Sequence, residues 1–204
     1  MTRMPQPDWD ILLIGGHSTS GKSTVARQLG RRFDVPVNQV DDYRIALQRA
    51  TRPGQIAGLH FFSQEPELIF ANPMPTVVEG LIRIGQIMSH ALEDVIAHHV
   101  LTRTPIILEG DGITPALTTV KVIDGLPVAG RIKSVFIIES NEAAFAQTYR
   151  ERWPDSEPSP HTAHWCQLAW CYGQWLGNEA ARVGAPIVES KPWTTLEARM
   201  IAVI

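Results

Sequence analysis

Gly16, Gly21, Lys22 and Ser23 stand in the order Gly-x4-Gly-Lys-Ser, a spacing with one strong chemical use. Glycines let a chain curl until successive N–H groups converge on an anion, and a helix starting there aims its positive end at the same point. Lys22 is then placed to reach the β- and γ-phosphates of a nucleotide such as ATP, and the Ser23 hydroxyl to ligate the Mg²⁺ that bridges them. Gly16, His17, Ser18, Thr19, Ser20, Gly21, Lys22, Ser23 and Thr24 are therefore the expected nucleotide contacts. The alternative is a glycine-rich turn that matches by chance. A strand before it and a helix after it favour the phosphate reading.

Two acidic groups come next. Asp41 and Asp42 follow one apolar run, Glu109 and Asp111 another. Where such runs are parallel strands, these acids sit at carboxyl ends, where open sheets gather their ligands. Glu109 is the expected partner of Ser23 at Mg²⁺, the alternative being a turn or capping carboxylate. Asp111 lies in Gly-Asp-Gly, which is also ordinary turn chemistry. Asp41, with Asp42 beside it, is expected to orient and deprotonate an acceptor hydroxyl, and Arg44 to hold an anionic group of that acceptor. The plainer reading is an N-cap and an exposed i,i+3 ion pair worth well under about 1 kcal/mol. Arg150 and Arg152 end a helix before a proline-rich turn. One of them can neutralise a transferring phosphoryl group from a water-excluding lid over 150–162, or both can simply complement the helix's negative end.

The elements that must position these residues are legible as apolar periodicity. A strand over 10–14 runs into the glycine loop, and a helix follows to residue 32 with Val25, Ala26, Leu29 and Phe33 inward. A strand is expected over 35–40 and a short helix over 43–50. The proline- and glycine-bearing stretch 51–75 reads as a substrate-side lobe. Between 75 and 105 apolar residues recur at a period near 3.6, with Thr76 and Glu79 as a capping box. Strands over 105–108, 132–139 and 186–188 alternate with helices over 141–152, 161–183 and 194–203. Continuous apolar strands separated by helices predict an α/β fold with a five-stranded parallel sheet covered on both faces, in one domain spanning 1–204.

Composition narrows the classes. Of 204 residues, 44% are hydrophobic and 19% charged, with a formal charge of −3, which excludes a disordered chain and argues against a nonspecific nucleic-acid binder. The two cysteines, Cys166 and Cys171, sit five apart in one expected helix, about 140° around its axis, and read as reduced, buried thiols. The first nine residues hold no apolar signal segment, and no run reaches membrane-spanning length, so a cytoplasmic protein is expected. Trp165, Trp170, Tyr172 and Trp175 crowd one helix, where the tryptophans cannot share a face. They read as core, lid or homodimer packing. His161 and His164 near its start read as solvated or capping.

The motifs taken together resemble the small P-loop kinases of the adenylate-kinase and shikimate-kinase type, and within that group the 2-phosphoglycerate kinases. The resemblance rests on Ile14-Gly15-Gly16, Gly21-Lys22-Ser23-Thr24 and Asp41-x-x-Arg44. It continues through the long helix carrying Gln86, Ile106 to Gly110 followed by Pro115, and the Arg150/Arg152 helix. It implies a three-layer P-loop NTPase fold with strand order 2-3-1-4-5 and a lid, ATP with Mg²⁺, and phosphorylation of a small metabolite. It also implies that Lys191-Pro192-Trp193 passes by the adenine. Two features depart from it: acids at Asp155 and Glu157 in the expected lid, and Asp111 near the site. A less charged hydroxyl compound fits as well as 2-phosphoglycerate.

The leading expectation is thus ATP-dependent phosphoryl transfer to a hydroxyl, with Lys22, Asp41, Arg150 and Arg152 as catalytic residues. The second is an ATPase or nucleotide-dependent switch without a small-molecule acceptor. No Asn-Lys-x-Asp guanine signature occurs. A nucleic-acid end kinase is disfavoured by the charge and the lack of a basic stripe.

Overall fold

β1 (Ile11–Gly16) is apolar and buried from end to end, as a central strand covered on both faces must be. It lies parallel between β3 (Ile106–Glu109) and β6 (Ile132–Ile138), pairing Ile14 with Glu109 and Gly16 with Ile137. β2 (Val37–Gln39) adds beyond β3, and β7 (Ile187–Glu189) beyond β6. The computed structural model describes residues 7–63, 66–154 and 159–204. Its five parallel strands run β2-β3-β1-β6-β7, and counting parallel strands alone this is the predicted order 2-3-1-4-5. A separate hairpin, β4 (Val122–Ile123) with β5 (Leu126–Pro127), intervenes in the chain.

Alternation along β1 feeds two cores. Leu12 and Ile14 face α1 (Lys22–Phe33) and α7 (Leu196–Ile201), packing with Val25, Leu29, Leu196 and Met200. Ile11 and Leu13 face α4 (Met74–Thr102) and α6 (Pro160–Val183). Ile84, Met88, Leu92, Ile96 and Val100 recur every four residues, so one stripe of α4 meets the sheet, and Tyr172, Leu176 and Ala180 do the same from α6. α2 (Val40–Ala50) follows β2 directly, and α5 (Glu142–Arg152) follows β6. Within the 51–75 stretch, α3 (Pro66–Ala71) brings Ile69 against Val77 and Leu168, with Phe61, Phe62 and Trp165 around them. That third cluster seats the stretch on α4 and α6.

Several boundaries differ from expectation. α2 begins at Val40, so Asp41 and Asp42 lie in its first turn, where carboxylates meet the helix's positive end, and not in a loop before residue 43. α4 begins at Met74 with Pro73 as N-cap, so Thr76 and Glu79 form no capping box. Proline is compatible with a first turn because those N–H groups have no intrahelical partner. Cys166 and Cys171 are free as expected but half-buried, and desolvation pushes both thiols up. Trp165, Trp170 and Trp175 are likewise half-buried: Trp165 sits against Phe62 and Phe70, Trp170 against Phe145, Trp175 stacked on Tyr172. Asp155 and Glu157 lie outside the described residues. Among the described residues no helix is long and apolar enough to cross a membrane.

Candidate active site

The loop between β1 and α1 takes its shape from two glycines. Gly16 has φ +143°, and a Cβ there would stand 2.3 Å from the Ile137 carbonyl oxygen. Gly21, the N-cap of α1, has φ 93°. Both are backbone conformations that a side chain disfavours. The loop so formed opens onto a cavity of about 140 Å³, lined on the loop side by Ser18, Thr19, Gly21, Lys22, Ser23 and Thr24. Gly16, His17 and Ser20, expected among the nucleotide contacts, are buried and do not line it.

Lys22 is buried, and its Nζ donates to the His17 carbonyl at 2.7 Å while pairing with Asp111 Oδ1 at 2.6 Å. Asp111 is itself positioned: its carbonyl accepts from the Tyr172 hydroxyl at 2.8 Å, and Tyr172 is fully enclosed, which drives its phenol well above the ordinary range. The turn aspartate is thus the counter-ion of the loop lysine, a role the Gly-Asp-Gly sequence does not reveal. Ser23 and Glu109 both line the cavity. Burial raises the Glu109 pKa, with Asp111 and Asp41 adding to it and the Ser23 hydroxyl and Lys22 opposing. A hydroxyl and a carboxylate are hard oxygen donors, suited to Mg²⁺. Among the described residues no three His, Cys, Asp or Glu side chains gather as a metal cage.

Gln39, Asp41, Glu109, Gly110, Asp111 and Arg152 complete the lining of the cavity. Asp41 faces it, whereas Asp42 is exposed and lines none of it. Arg44 donates from Nε and Nη2 to Asp41 Oδ1, at 3.2 and 3.1 Å, and from Nη1 to Gln48 at 3.3 Å. The two lid arginines part company. Arg152 lines the phosphate cavity and a neighbouring one of about 330 Å³, where Thr19, Gly21, Thr24, Gln28, Thr148 and Trp193 also stand. Arg150 lines a third, more apolar cavity between α5 and α6, with Phe145, Trp153, Cys166 and Trp170. Trp193, expected beside the adenine, thus walls a space that joins the phosphate cavity.

Sequence reasoning missed the supports behind the loop. The Glu139 N–H donates to His17 Nε2 at 2.9 Å, so that nitrogen is an acceptor, and Nδ1 carries the proton that bonds to the Ser18 carbonyl at 2.6 Å. The ring meets Phe145 edge-on at 4.9 Å, and a Cβ on Gly173 would stand 2.8 Å from it. The buried Glu139 carboxylate accepts from the Asn141 N–H and the Ser190 hydroxyl, each at 3.0 Å. No local spacing signals these contacts. The apolar run before Glu139 was the only pointer.

No protein-family model and no curated protein sequence matches the chain. The architecture is shared with solved structures. A shikimate kinase from Aquifex aeolicus vf5 superposes at TM-score 0.51 with 18% identity, over 95% of each chain. A shikimate kinase from Bacteroides thetaiotaomicron superposes at 0.51 with 12% identity, over 94% of this chain and 96% of that one. A gluconokinase from Sinorhizobium meliloti 1021 superposes at 0.50 with 15% identity, over 98% and 92%. The chain therefore has the α/β fold of the P-loop kinases, with its phosphate loop, parallel sheet and helical layers in place.

Proposed function

We propose that the protein is an ATP-dependent kinase that transfers the γ-phosphoryl group to a hydroxyl of a small metabolite. The observation that carries this reading is the meeting of unlike groups in one cavity: the loop with Lys22, Ser23 and Glu109, and the Asp41 carboxylate in the same lining. A simple nucleotide switch has no use for a further acid beside the phosphates. The kinases whose fold the chain shares support the same class.

In this reading Lys22 and the loop N–H groups hold the β- and γ-phosphates, and Arg152 meets charge on the transferring group from the α5 side. Ser23 and Glu109 would hold Mg²⁺, which would supply positive charge to offset that of the phosphates. The acceptor oxygen bonds to the γ-phosphorus as the bond to the β–γ bridging oxygen breaks. ADP leaves with that electron pair, and the hydroxyl proton passes to Asp41. Trp193 and Gln28 border the space available to the base. Arg150, directed to another cavity, has no part in this arrangement.

The test is ADP release from Mg·ATP with hydroxylated compounds added singly, 2-phosphoglycerate among them because the sequence resemblance suggests it, and Lys22→Ala as the blank. Acceptor-dependent turnover that vanishes in Lys22→Ala is expected. Acceptor-independent ADP release that persists in that variant would sink the proposal.

A further inference from the structure

Two cations at the phosphate cavity are already paired with acids. Lys22 is held by Asp111 at 2.6 Å, and Arg44 is held by Asp41 and Gln48. Gln48 is itself anchored, its amide donating to the Leu59 carbonyl at 2.8 Å, so Arg44 is tied back to the 51–75 stretch. Arg152 stands between the phosphate cavity and the space beside Trp193, on the nucleotide side. Apart from the loop, Glu109 and Arg152, which the kinase reading gives to the nucleotide and its metal ion, the described residues that line the cavity are Gln39, Gly110 and the carboxylates of Asp41 and Asp111.

From this charge arrangement we infer that the acceptor carries no anionic group: it is an uncharged or cationic hydroxyl compound, such as a polyol, a nucleoside or an amino sugar. The inference rests on the kinase reading and narrows it. A carboxylate or phosphate within about 5 Å of one such carboxylate, at the effective dielectric of a partly buried site, loses on the order of a hundredfold in affinity. An arginine able to offset that loss must first be taken from Asp41, which leaves the acid that orients the hydroxyl without its own support. A hydroxyl meets no such conflict, because it donates to Asp41 as it stands. An ammonium group gains from both acids. 2-Phosphoglycerate, with its carboxylate and phosphate, is the acceptor this site fits least.

The test uses the full chain saturated with Mg²⁺ and a nonhydrolysable ATP analogue, and ligand-observed NMR on two pools. One holds glycerate, gluconate, shikimate and 2-phosphoglycerate. The other holds glycerol, sorbitol, uridine, serinol and glucosamine. Saturation transfer confined to the second pool is the expected result. Preferential transfer to the first pool overturns the inference and leaves the kinase reading standing, and so does binding from neither pool while the analogue is bound. Failure of the analogue to bind brings down the kinase reading itself. Asp111→Asn supplies a second measurement, because it removes one of the carboxylates that line the cavity: anionic compounds are expected to gain about tenfold or more in affinity. If they gain nothing in a variant that still binds the analogue, the inference is wrong.

Discussion

His17 and Lys22 show how differently two neighbouring cations-in-waiting are treated. Lys22 is paired with Asp111, whereas the His17 imidazole is shut between Phe145 and Gly173. Burial, aided by Lys22, lowers its pKa from 6.5 to about 4, against the opposing Ser18 hydrogen bond and the charges of Asp111 and Glu139. The unfolded chain therefore takes up a proton between those two pH values that the native chain refuses. Stability contributed by the neutral ring is complete above pH 6.5 and is lost as pH falls toward 4, by roughly 3 kcal/mol. Urea midpoints measured across that range for the wild type and for His17→Asn should converge in their pH slope difference on this window. A difference that is flat from pH 6.5 to 4 would refute the buried neutral ring. Gly16 gives a second prediction at this scale. Gly16→Ala forces a Cβ to within 2.3 Å of the Ile137 carbonyl oxygen, and should cost about 2–4 kcal/mol and abolish nucleotide binding. Gly125→Ala, at φ 83° with nothing within 4 Å, should cost only the strain of positive φ, about 1–2 kcal/mol, and leave binding intact.

Among the elements, α5 is fastened at its start and free to present charge at its end. Asn141 caps it by accepting from the Ala144 N–H at 3.0 Å, and Lys191 Nζ holds the Ala144 carbonyl and the Thr148 hydroxyl at 3.2 and 2.7 Å. Asn141→Ala should therefore lose about 1 kcal/mol in urea denaturation while nucleotide affinity stays within about twofold, since the Lys191 and Glu139 contacts remain. A larger loss of affinity than of stability would mean that the cap, and not those contacts, sets the position of Arg152. The strand–loop–helix unit at β1 and α1 was legible in the sequence because chemistry and periodicity coincide within about twenty residues there. α4 was legible because its buried stripe repeats every four residues. The placement of Asp41 was readable only in outline: β2 is three residues long and passes straight into α2, a boundary that apolar patterning cannot mark. The β4–β5 hairpin escaped notice although Asp124-Gly125, both at positive φ, was its signal. His17 and Glu139 are 122 residues apart, so their hydrogen bond is a product of the folded sheet and of no local pattern.

At the scale of the whole molecule, the phosphate cavity and the neighbouring 330 Å³ space meet at Thr19, Gly21, Thr24 and Arg152. A nucleotide that fills both touches α1, α5 and the turn before α7, three elements that follow different strands. Binding should then stabilise the fold as a unit. Ligand at one hundred times its dissociation constant adds about 2.7 kcal/mol, and for a domain of this size each kcal/mol is worth about 2–4 °C, so Mg·ATP should raise the melting temperature by roughly 5–11 °C. Lys22→Ala should abolish most of that shift. Its own melting temperature should stay close to the wild type's, because the partner it abandons, Asp111, has a side chain 40% exposed and is resolvated by water. Omitting Mg²⁺ should reduce the shift in the wild type, since the Ser23–Glu109 pair would then face phosphate with no cation between them. A shift equally large in Lys22→Ala, measured by thermal unfolding at several nucleotide concentrations, would place the nucleotide somewhere other than this loop. That result would remove the ground from every role assigned to Asp41, Glu109 and Arg152, because each is defined by its distance from the same phosphates.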